Sequence, residues 1–300
     1  GIKGTIGNTY YQGYLRRRDY NYSIYDTLGT GWQHENYIGG FIRQRFSDSL
    51  SLDVQGEFST IDLYKYLLRP TYKGLTFTYS SQKVKPDVIQ NYYVGNHFLW
   101  SRDLHNYRVD KLEVTYQFKK GKTSARPFVG YDFFKDMIYY GDDATPMQDD
   151  KTITAPSLGL NFTSAWRRWH TTGFVKYYNP SDVNIVRAPK VFWYQQLYYE
   201  SHFKNNLFFQ LGADMYFRKA YDAYAFMPAT QQFYTRQTNS TNAQSVVIDA
   251  FINFRLKSAL LFLKVPAVNY LLGQNGYFLT PDYPGVQTTF VFGVEWMFFD

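Results

Sequence analysis

Residues 287–300 have the sequence QTTFVFGVEWMFFD, in which side-chain character alternates with a period of two up to the last residue. Successive side chains of a β-strand point to opposite faces of the sheet. One face of this stretch is wholly apolar and carries Phe290, Phe292, Val294, Trp296 and Phe298. The opposite face carries the carboxylate of Glu295 beside Gly293. This pattern predicts a strand with one face in lipid and the other toward a polar interior.

Composition narrows the class of membrane protein. The 300 residues include 30 Tyr and 26 Phe but no Cys, and aromatic residues make up 21% of the chain. Mean hydropathy is −0.43, and apolar runs such as residues 259–263 are far shorter than the roughly 20 residues of a spanning helix. A chain without such helices can cross lipid only as a closed barrel, because every backbone polar group must find a partner.

The same alternation recurs along the chain. It is clear in five segments, at residues 50–58, 111–118, 157–162, 207–218 and 246–257. Each segment puts Leu, Val, Ile or Phe on one face and charged or amide side chains on the other. A soluble barrel could not bury charges from so many strands without a large desolvation cost. The sequence therefore predicts an all-β fold, a transmembrane antiparallel up-and-down β-barrel.

The lengths of the connections give a strand count. Short turns are expected near residues 121, 167, 205 and 258, and longer polar loops at 141–151, 179–190 and 221–245. Thirteen strands would put the tight turn near residue 48 on the side of the long loops. An additional strand within residues 87–100 restores the alternation, so we expect about 14 strands, rather than 12 or 16, with both termini periplasmic. The alternative for residues 87–100 is a loop that enters the lumen.

Domain organisation is expected to be simple. No linker and no change of composition divides the chain, so residues 1–300 are interpreted as a single outer-membrane barrel domain. The first residues, GIKGTIGNTYYQGYL, already have strand character, and no signal peptide precedes them. We expect that the chain is processed or lacks an upstream segment.

Charged side chains on the inward faces are the strongest functional signal. Both signs occur, and such groups select solutes by charge where they line a pore. The alternative is that they pair with one another and fill the barrel as a polar core. The predicted lumen-facing charged residues are Asp53, Glu57, Lys111, Glu113, Asp132, Glu200, Asp214, Arg218, Asp249, Arg255, Lys257 and Glu295.

Catalytic and metal-binding motifs are missing from the sequence. There is no HExxH, GxSxG or phosphate-binding loop, and the five histidines are scattered without ligand spacing. We therefore expect no catalytic residue, no metal, no cofactor and no enzymatic activity. The alternative is a hydrolase in which Glu200 and His202 share a face with Asp214 on the next strand. The Arg16–Arg18 run is interpreted as a strand end rather than a nucleic-acid-binding patch.

Two resemblances support this interpretation. The C-terminal strand, through Phe290, Phe292, Trp296, Phe298 and Phe299, resembles the terminal insertion signal of bacterial outer-membrane barrels. The segments NYYVGNHFLW (91–100), LLRPTYKGLTFTYSS (67–81) and PGVQTTFVFGVEWMFFD (284–300) resemble the putative porins of Bacteroidota, whose strands resemble those of TonB-dependent receptors. This resemblance implies a bacterial outer-membrane location and passive solute passage, and it transfers no catalytic residue.

Two functions follow as hypotheses. The first is a porin-like channel for passive diffusion of small hydrophilic solutes, with a preference for anions suggested by the net charge of +7. The second is a non-conducting barrel that serves as a subunit or scaffold of a larger outer-membrane complex. Expected partners are outer-membrane lipid, lipopolysaccharide and the barrel-insertion machinery, with other outer-membrane proteins or surface lipoproteins in the second case.

Overall fold

The computed structural model describes residues 1–24, 29–203, 207–237, 245–272 and 277–296. The structure is built almost entirely of β-strands. The strands of the N-terminal half are β1 (Ile2–Ile6), β2 (Thr9–Ile24), β3 (Gly29–Ser47), β4 (Leu50–Ser59), β5 (Tyr64–Tyr72), β6 (Leu75–Val84), β7 (Tyr92–Val94), β8 (Leu99–Ser101), β9 (Tyr107–Tyr116), β10 (Phe118–Lys120), β11 (Thr123–Lys135), β12 (Ile138–Tyr140) and β13 (Pro146–Gln148).

The C-terminal half continues the same plan. Its strands are β14 (Thr152–Trp166), β15 (Trp169–Tyr178), β16 (Val191–Phe203), β17 (Leu207–Arg218), β18 (Ala225–Met227), β19 (Gln232–Tyr234), β20 (Ser245–Leu256), β21 (Ala259–Val265), β22 (Phe278–Thr280), β23 (Tyr283–Pro284) and β24 (Val291–Trp296). The described helices are α1 (Val88–Asn91) and a 3₁₀-helix (Val268–Leu272). Neither is long or apolar enough to traverse a bilayer.

One antiparallel sheet joins the long strands in chain order, and we call it the wall. Its path is β1-β2-β3-β4-β5-β6-β9-β11-β14-β15-β16-β17-β20-β21-β24. β10 follows β9 after the single residue Gln117 and pairs with the start of β11. The wall therefore has fifteen successive strands, close to the expected count of about 14, and each is hydrogen-bonded to its neighbour in sequence.

Connections differ in length at the two ends of the wall. At one end, which we call the turn end, two-residue turns join the strands at residues 7–8, 48–49, 73–74, 121–122, 167–168 and 257–258. Residues such as Lys73 (φ 45°) and Gly74 (φ 86°) take the left-handed conformation that tight hairpins require. At the opposite end, the loop end, longer connections dominate, among them residues 85–106 and 136–151. This asymmetry matches the loop pattern that the sequence predicts.

Two expectations about topology are wrong. Residues 87–100 do not supply a wall strand, because they form α1 and the β7–β8 hairpin, which pairs with itself outside the wall. The alternation of turns holds without them, since β5 and β6 meet at the tight turn 73–74. The termini do not both lie at the same end. An odd number of antiparallel strands puts Gly1 at the loop end and Trp296 at the turn end.

The first and last strands of the wall also run in the same direction, for the same reason. In the described part of the chain, no ladder joins β1 to β24, and each has one edge without a strand partner. The apolar side chains along these edges are well exposed, with Ile2 at 75% and Phe292 at 68%. The two edges are therefore available to further backbone pairing.

On the wall, apolar side chains are exposed and polar side chains are shielded, which is the reverse of the arrangement in a soluble protein. In β4, Asp53 is only 6% exposed whereas Val54 is 38% exposed. On the same outer face Leu15 is 80%, Val129 65% and Leu158 55% exposed. The register of the strands keeps apolar side chains on one face and polar ones on the other along the whole wall, because directly paired residues share a face. One face is apolar and suited to lipid, and the other is polar, as the alternation predicts.

Most of the fully buried apolar side chains lie at the loop end. Five connections there form what we call the loop layer, defined by residues 85–106, 136–151, 179–190, 219–237 and 266–272. It contains Trp100, Tyr140, Ala144, Ile185, Ala223, Ala225 and Ala267, each at most 7% exposed. The wall residues buried beneath it, Ile153 (2%) and Val247 (8%), belong to the polar face. The loop layer therefore folds onto the inner side of the wall.

Val54 and Gln55 offer a matched test of the two faces, because they are neighbours at the middle of β4. We expect Val54→Arg to lower the free energy of unfolding by about 2–4 kcal/mol in phospholipid vesicles, since it places a charge in the hydrocarbon region. Gln55→Arg should cost much less, because its side chain faces a polar interior. Urea unfolding measures both. Equal losses for the two variants would contradict the assignment of the faces.

Candidate functional site

The polar face carries the groups that can contact a solute, and its charge is unevenly distributed. On β1–β6 it bears seven basic and three acidic side chains: Lys3, Arg16, Arg18, Arg43, Arg45, Lys65 and Arg69 with Glu35, Asp53 and Glu57. On β9–β24 it bears seven basic and six acidic side chains: Lys111, Lys119, Arg126, Lys176, Arg218, Arg255 and Lys264 with Glu113, Asp132, Glu200, Asp214, Asp249 and Glu295. Most of the net positive charge therefore lies on the N-terminal third of the wall.

Asp53 organises a basic cluster near the turn end. Its carboxylate accepts hydrogen bonds from Nε and Nη2 of Arg43 at 2.8 and 2.9 Å, and from Nη2 of Arg69 at 2.9 Å. Asp53 is 6% exposed, whereas the two arginine side chains are about two-fifths exposed. Two guanidinium groups offset the desolvation of one carboxylate and leave a net positive charge facing the interior.

A second basic cluster lies toward the loop end. Glu57 accepts hydrogen bonds from Tyr14 and Arg16, both at 2.8 Å. The guanidinium of Arg16 also lies 4.2 Å from the centre of the Tyr37 ring, a cation–π contact. Glu35, which is 3% exposed, accepts hydrogen bonds from the Tyr37 hydroxyl at 2.7 Å and the Tyr20 hydroxyl at 3.1 Å. Glu57 on β4 is therefore held by two side chains of β2, across β3, and Glu35 on β3 by one hydroxyl of β2 and one of its own strand.

This cluster corrects the interpretation of the arginine run. Residues 16–18 lie well inside β2, which extends from Thr9 to Ile24, and not at a strand end. Alternation along β2 puts Arg16 and Arg18 on the polar face and Arg17 on the opposite face. Three successive arginines show no alternation of side-chain character, so the run itself does not indicate a strand. The alternating tyrosines on either side of it would have predicted one.

Lys264 is a charged residue of the polar face that the alternation in the sequence did not predict. Asp214 and Asp249 face each other directly across β17 and β20, and each is 8% exposed. The Lys264 ammonium on β21 lies 2.8 Å from Asp249 and 3.7 Å from Asp214. It neutralises part of the repulsion between the two carboxylates. Its strand, ALLFLKV, is apolar on both faces, so the sequence shows no alternation from which the direction of Lys264 could be predicted. Only the register with β20 shows that Lys264 lies on the polar face.

The structure puts eleven of the twelve predicted charged residues on the polar face; Lys257 is the exception. β20 ends at Leu256, and Lys257 takes φ 51° in the two-residue turn to β21. It therefore lies at the turn end and not along the interior wall. Lys111 is paired in register with Asp132, and Arg218 donates to the Ser245 hydroxyl. Whether these residues line a conducting pore stays a prediction.

The proposed hydrolase constellation is not assembled. Glu200 and His202 share the polar face of β16 with Asp214 on β17, as predicted, but the Glu200 carboxylate lies 2.9 Å from Nε2 of His170 on the adjacent strand. His202 instead packs against the Phe208 ring at a centroid distance of 5.0 Å. Within the described residues, His202 makes no ion pair with Glu200 or Asp214, and no group of His, Asp and Glu side chains could hold a metal ion.

The C-terminal strand presents its aromatic row on the apolar face. Phe290, Phe292 and Trp296 are 75%, 68% and 58% exposed, although Phe290 precedes the first residue of β24. Glu295 is on the polar side, paired in register with Leu260. Phe298 and Phe299 lie outside the described residues. The aromatic side chains that can be described are thus accessible from the lipid side.

Hydrogen bonds tie the separate loops into one layer. Nη1 of Arg187, a residue 7% exposed, donates to the carbonyls of Ala223 and Arg236 at 3.2 and 2.9 Å. The Tyr140 carbonyl accepts from the backbone N–H and the hydroxyl of Thr235, at 2.9 and 3.1 Å. These bonds join three connections, and they satisfy polar groups that burial would otherwise leave unpaired.

Aromatic packing completes the loop layer. The Trp100 ring lies 6.3 Å from Tyr140 in an edge-to-face arrangement, and its Nε1 donates to the Ile89 carbonyl at 3.0 Å. Tyr140 is 5% exposed, and burial, with a smaller contribution from the charge of Asp87, raises its pKa to about 12. Its hydroxyl has no hydrogen-bond partner among the described residues. The ring, and not the hydroxyl, therefore holds Tyr140 in place.

A comparison with protein families identifies the chain. Residues 2–300 match the sequence model of a family described as putative porin. The chain belongs to the putative porin family. This membership confirms the resemblance drawn from residues 67–81, 91–100 and 284–300, and it places the barrel in the bacterial outer membrane. A search of curated proteins found no match.

Solved structures similar to this putative porin include an iron transporter and two receptors. The FrpB iron transporter from Neisseria meningitidis superposes with a TM-score of 0.67 at 12% identity, covering 97% of this chain and 53% of its own. BauA, the ferric preacinetobactin receptor from Acinetobacter baumannii, gives 0.61 at 11% identity, with 97% and 52% covered. The pyoverdine receptor FpvA from Pseudomonas aeruginosa gives 0.60 at 9%, with 90% and 43% covered. The chain spans about half the length of these receptors, and the likeness is one of fold.

Lys264 can be tested by removing its charge. Lys264→Met leaves Asp214 and Asp249 opposed on one wall, so we expect the free energy of unfolding to fall by about 2–3 kcal/mol. The loss is smaller than for a fully buried pair because the ammonium is about one-third exposed. The double variant Lys264→Met/Asp249→Asn should recover most of it. Urea unfolding of both variants decides, and no recovery in the double variant would contradict the carboxylate repulsion.

Trp100 and Tyr140 provide a contrast within the loop layer. Trp100→Ala removes a buried ring and should destabilise the layer by about 3–5 kcal/mol. Tyr140→Phe keeps the ring and removes only an unpaired hydroxyl, so it should change stability by no more than about 0.5 kcal/mol. Hydrogen exchange of residues 85–151 measures local opening. A large effect of Tyr140→Phe would show that the hydroxyl has a partner after all.

Proposed function

We propose that this member of the putative porin family is a channel for passive diffusion of small hydrophilic solutes across the outer membrane. The observation that carries the proposal is the pair of hollows on the polar face. The upper hollow, of about 480 Å³, lies toward the loop end and is lined by Arg16, Arg18, Glu35, Lys65 and Lys85 among others. The lower hollow, of about 540 Å³, lies toward the turn end and is lined by Arg43, Asp53, Arg69, Arg126 and Lys176 among others.

The positions of the hollows suggest a route for the solute. The loop layer buries the polar face at the loop ends of β14 and β20, as Ile153 and Val247 show. The upper hollow is lined by β2–β6 and by residues 85–88 at the start of the loop layer, and its lining includes no residue of β14 or β20. Tyr37 in the upper hollow and Arg43 in the lower one are six positions apart on β3, a distance of roughly 20 Å along a strand. A solute that passes the loop layer would therefore follow the basic side of the wall.

Solute size is limited by the same features. Volumes of about 480 and 540 Å³ are within the usual range for small-molecule sites, roughly 300–1,000 Å³. Charged side chains at both hollows would favour hydrated, polar solutes over apolar ones. The paired carboxylates of the wall, such as Asp53 and Glu57, accept hydrogen bonds from arginine and tyrosine side chains. We therefore favour transport over catalysis.

A second candidate is a non-conducting subunit or scaffold of a larger outer-membrane complex. The unpaired edges of β1 and β24 favour it, because an exposed strand edge can accept another strand. Other outer-membrane proteins or surface lipoproteins would be its partners. In both candidates, the apolar face would contact lipid and lipopolysaccharide, and the aromatic row of the last strand would be bound by the barrel-insertion machinery.

Bilayer recordings distinguish the two candidates. The channel should give discrete conductance steps in planar bilayers. Asp53→Asn leaves Arg43 and Arg69 without their carboxylate, so the reversal potential in a KCl gradient should shift toward higher anion selectivity; Arg43→Gln should shift it the other way. Arg17→Gln, on the opposite face of β2, is the matched control and should have no effect. A purified barrel that gives no conductance steps but co-purifies stoichiometrically with other envelope proteins would favour the scaffold.

A further inference from the structure

We infer that the lower hollow is a binding subsite for a small anionic solute that also carries hydroxyl groups, such as a sugar phosphate or a sugar acid. The inference rests on the proposed channel function and specifies its solute. Four basic side chains, those of Arg43, Arg69, Arg126 and Lys176, line the hollow. The acidic groups there are Asp53 and Glu113. The hollow therefore has a net charge of +2 when all six groups are ionised.

Arg43 and Arg69 are fixed in position but keep free donors. A guanidinium group has five N–H donors. Arg43 uses two of them on Asp53, and Arg69 uses one. Both side chains are about two-fifths exposed, so the remaining donors are accessible from the hollow. Asp53 thus acts as a positioning residue that pre-organises two guanidinium groups for an anion, which lowers the entropic cost of binding.

Arg126 and Lys176 supply the charge that is not already neutralised. In the part of the chain that the structure describes, neither side chain has a carboxylate within 4.0 Å. The Lys176 ammonium lies 4.5 Å from the centre of the Tyr178 ring, a contact that leaves its charge in place. A bound phosphate or carboxylate would be the counter-ion for both groups, and Arg can bind either through two parallel hydrogen bonds.

The rest of the lining suits a hydroxylated ring. Four threonines face the hollow, Thr71, Thr76, Thr78 and Thr115, with Asn161 beside Arg126 in register. Hydroxyl and amide groups both donate and accept, as the hydroxyls of a sugar do. Phe128 and Phe174 lie nearly parallel, 9° apart with centroids at 6.2 Å, in the same lining. They offer an apolar surface to the C–H face of a ring, so the hollow has a partner for each part of such a solute.

The upper hollow would guide anions to this subsite. Arg16 and Arg18 there are 51% and 63% exposed, and Lys65 and Lys85 lie close by. Basic groups along a confined route raise the local concentration of anions and their rate of association. Cations would be repelled at the same place. The arrangement thus favours anionic solutes first at entry and then at the subsite.

Isothermal titration calorimetry on the purified full chain in detergent tests the inference directly. The probes are inorganic phosphate, glucose 6-phosphate, gluconate and glucose. We expect glucose 6-phosphate to bind more tightly than phosphate alone, and glucose to bind at least tenfold more weakly, because it lacks the charge. Comparable binding of gluconate would identify the shared anionic group as the determinant; gluconate binding far more weakly would restrict the solute to phosphate esters.

Variants locate the site. Arg126→Gln and Lys176→Gln should each weaken glucose 6-phosphate binding about tenfold, whereas Arg17→Gln on the opposite face of β2 should leave it unchanged. Circular dichroism and heat-modified gel migration verify that each variant is folded. Equal affinity for glucose and glucose 6-phosphate, or unaltered binding in both Arg126→Gln and Lys176→Gln, would overturn the inference.

The experiment separates the subsite from the channel. Calorimetry needs no ion flow, so a protein that binds glucose 6-phosphate but stays silent in bilayers would refute the channel and retain the subsite. A protein that conducts but binds none of the four probes would refute the subsite and retain the channel.

Discussion

The backbone hydrogen bonds of the wall are the constraint on which the rest of the structure depends. A strand in lipid has no water to satisfy its N–H and C=O groups, so each must be paired with a neighbouring strand. Pairing in chain order, from β1 to β24, meets this demand for fourteen successive strand interfaces. It also fixes which residues share a face, because direct cross-strand partners lie on the same side. The charge clusters, the hollows and the lipid-facing surface all follow from this register.

Alternation made the wall predictable, and its loss marks where prediction failed. The alternation within residues 50–58 and 246–256 predicts both a strand and which of its faces is polar, so the positions of Asp53 and Asp249 on the polar face could be predicted from the sequence. Lys264 could not, because the strand around it is apolar on both faces and only its pairing with β20 shows its direction. Residues 87–100 have the aromatic and β-branched composition of a strand. They fold as a helix and a small hairpin, because Trp100 finds an apolar environment in the loop layer instead of lipid.

The carboxylates of the wall are held in a consistent way. Asp53 is held by two arginines, Glu35 by two tyrosine hydroxyls, and the Asp214–Asp249 pair by one lysine. Each carboxylate has at least one partner on another strand, so the ion pairs and hydrogen bonds also strengthen the register. Acidic groups are thus largely committed to structure. Basic groups outnumber them on β1–β6, and the guanidinium groups of Arg16, Arg18, Arg43 and Arg69 remain partly exposed on the polar face.

The placement of buried apolar side chains gives the molecule two sources of stability. The wall depends on lipid around its exterior, whereas the loop layer is held by its own small core of Trp100, Tyr140, Ile185 and several alanines. Units stabilised by different means need not open together, and native proteins commonly unfold in such separate cooperative units. The layer could therefore melt and re-form while the barrel stays inserted. The protein would then have an intact wall with a mouth of variable width, governed by temperature and denaturant and not by the membrane.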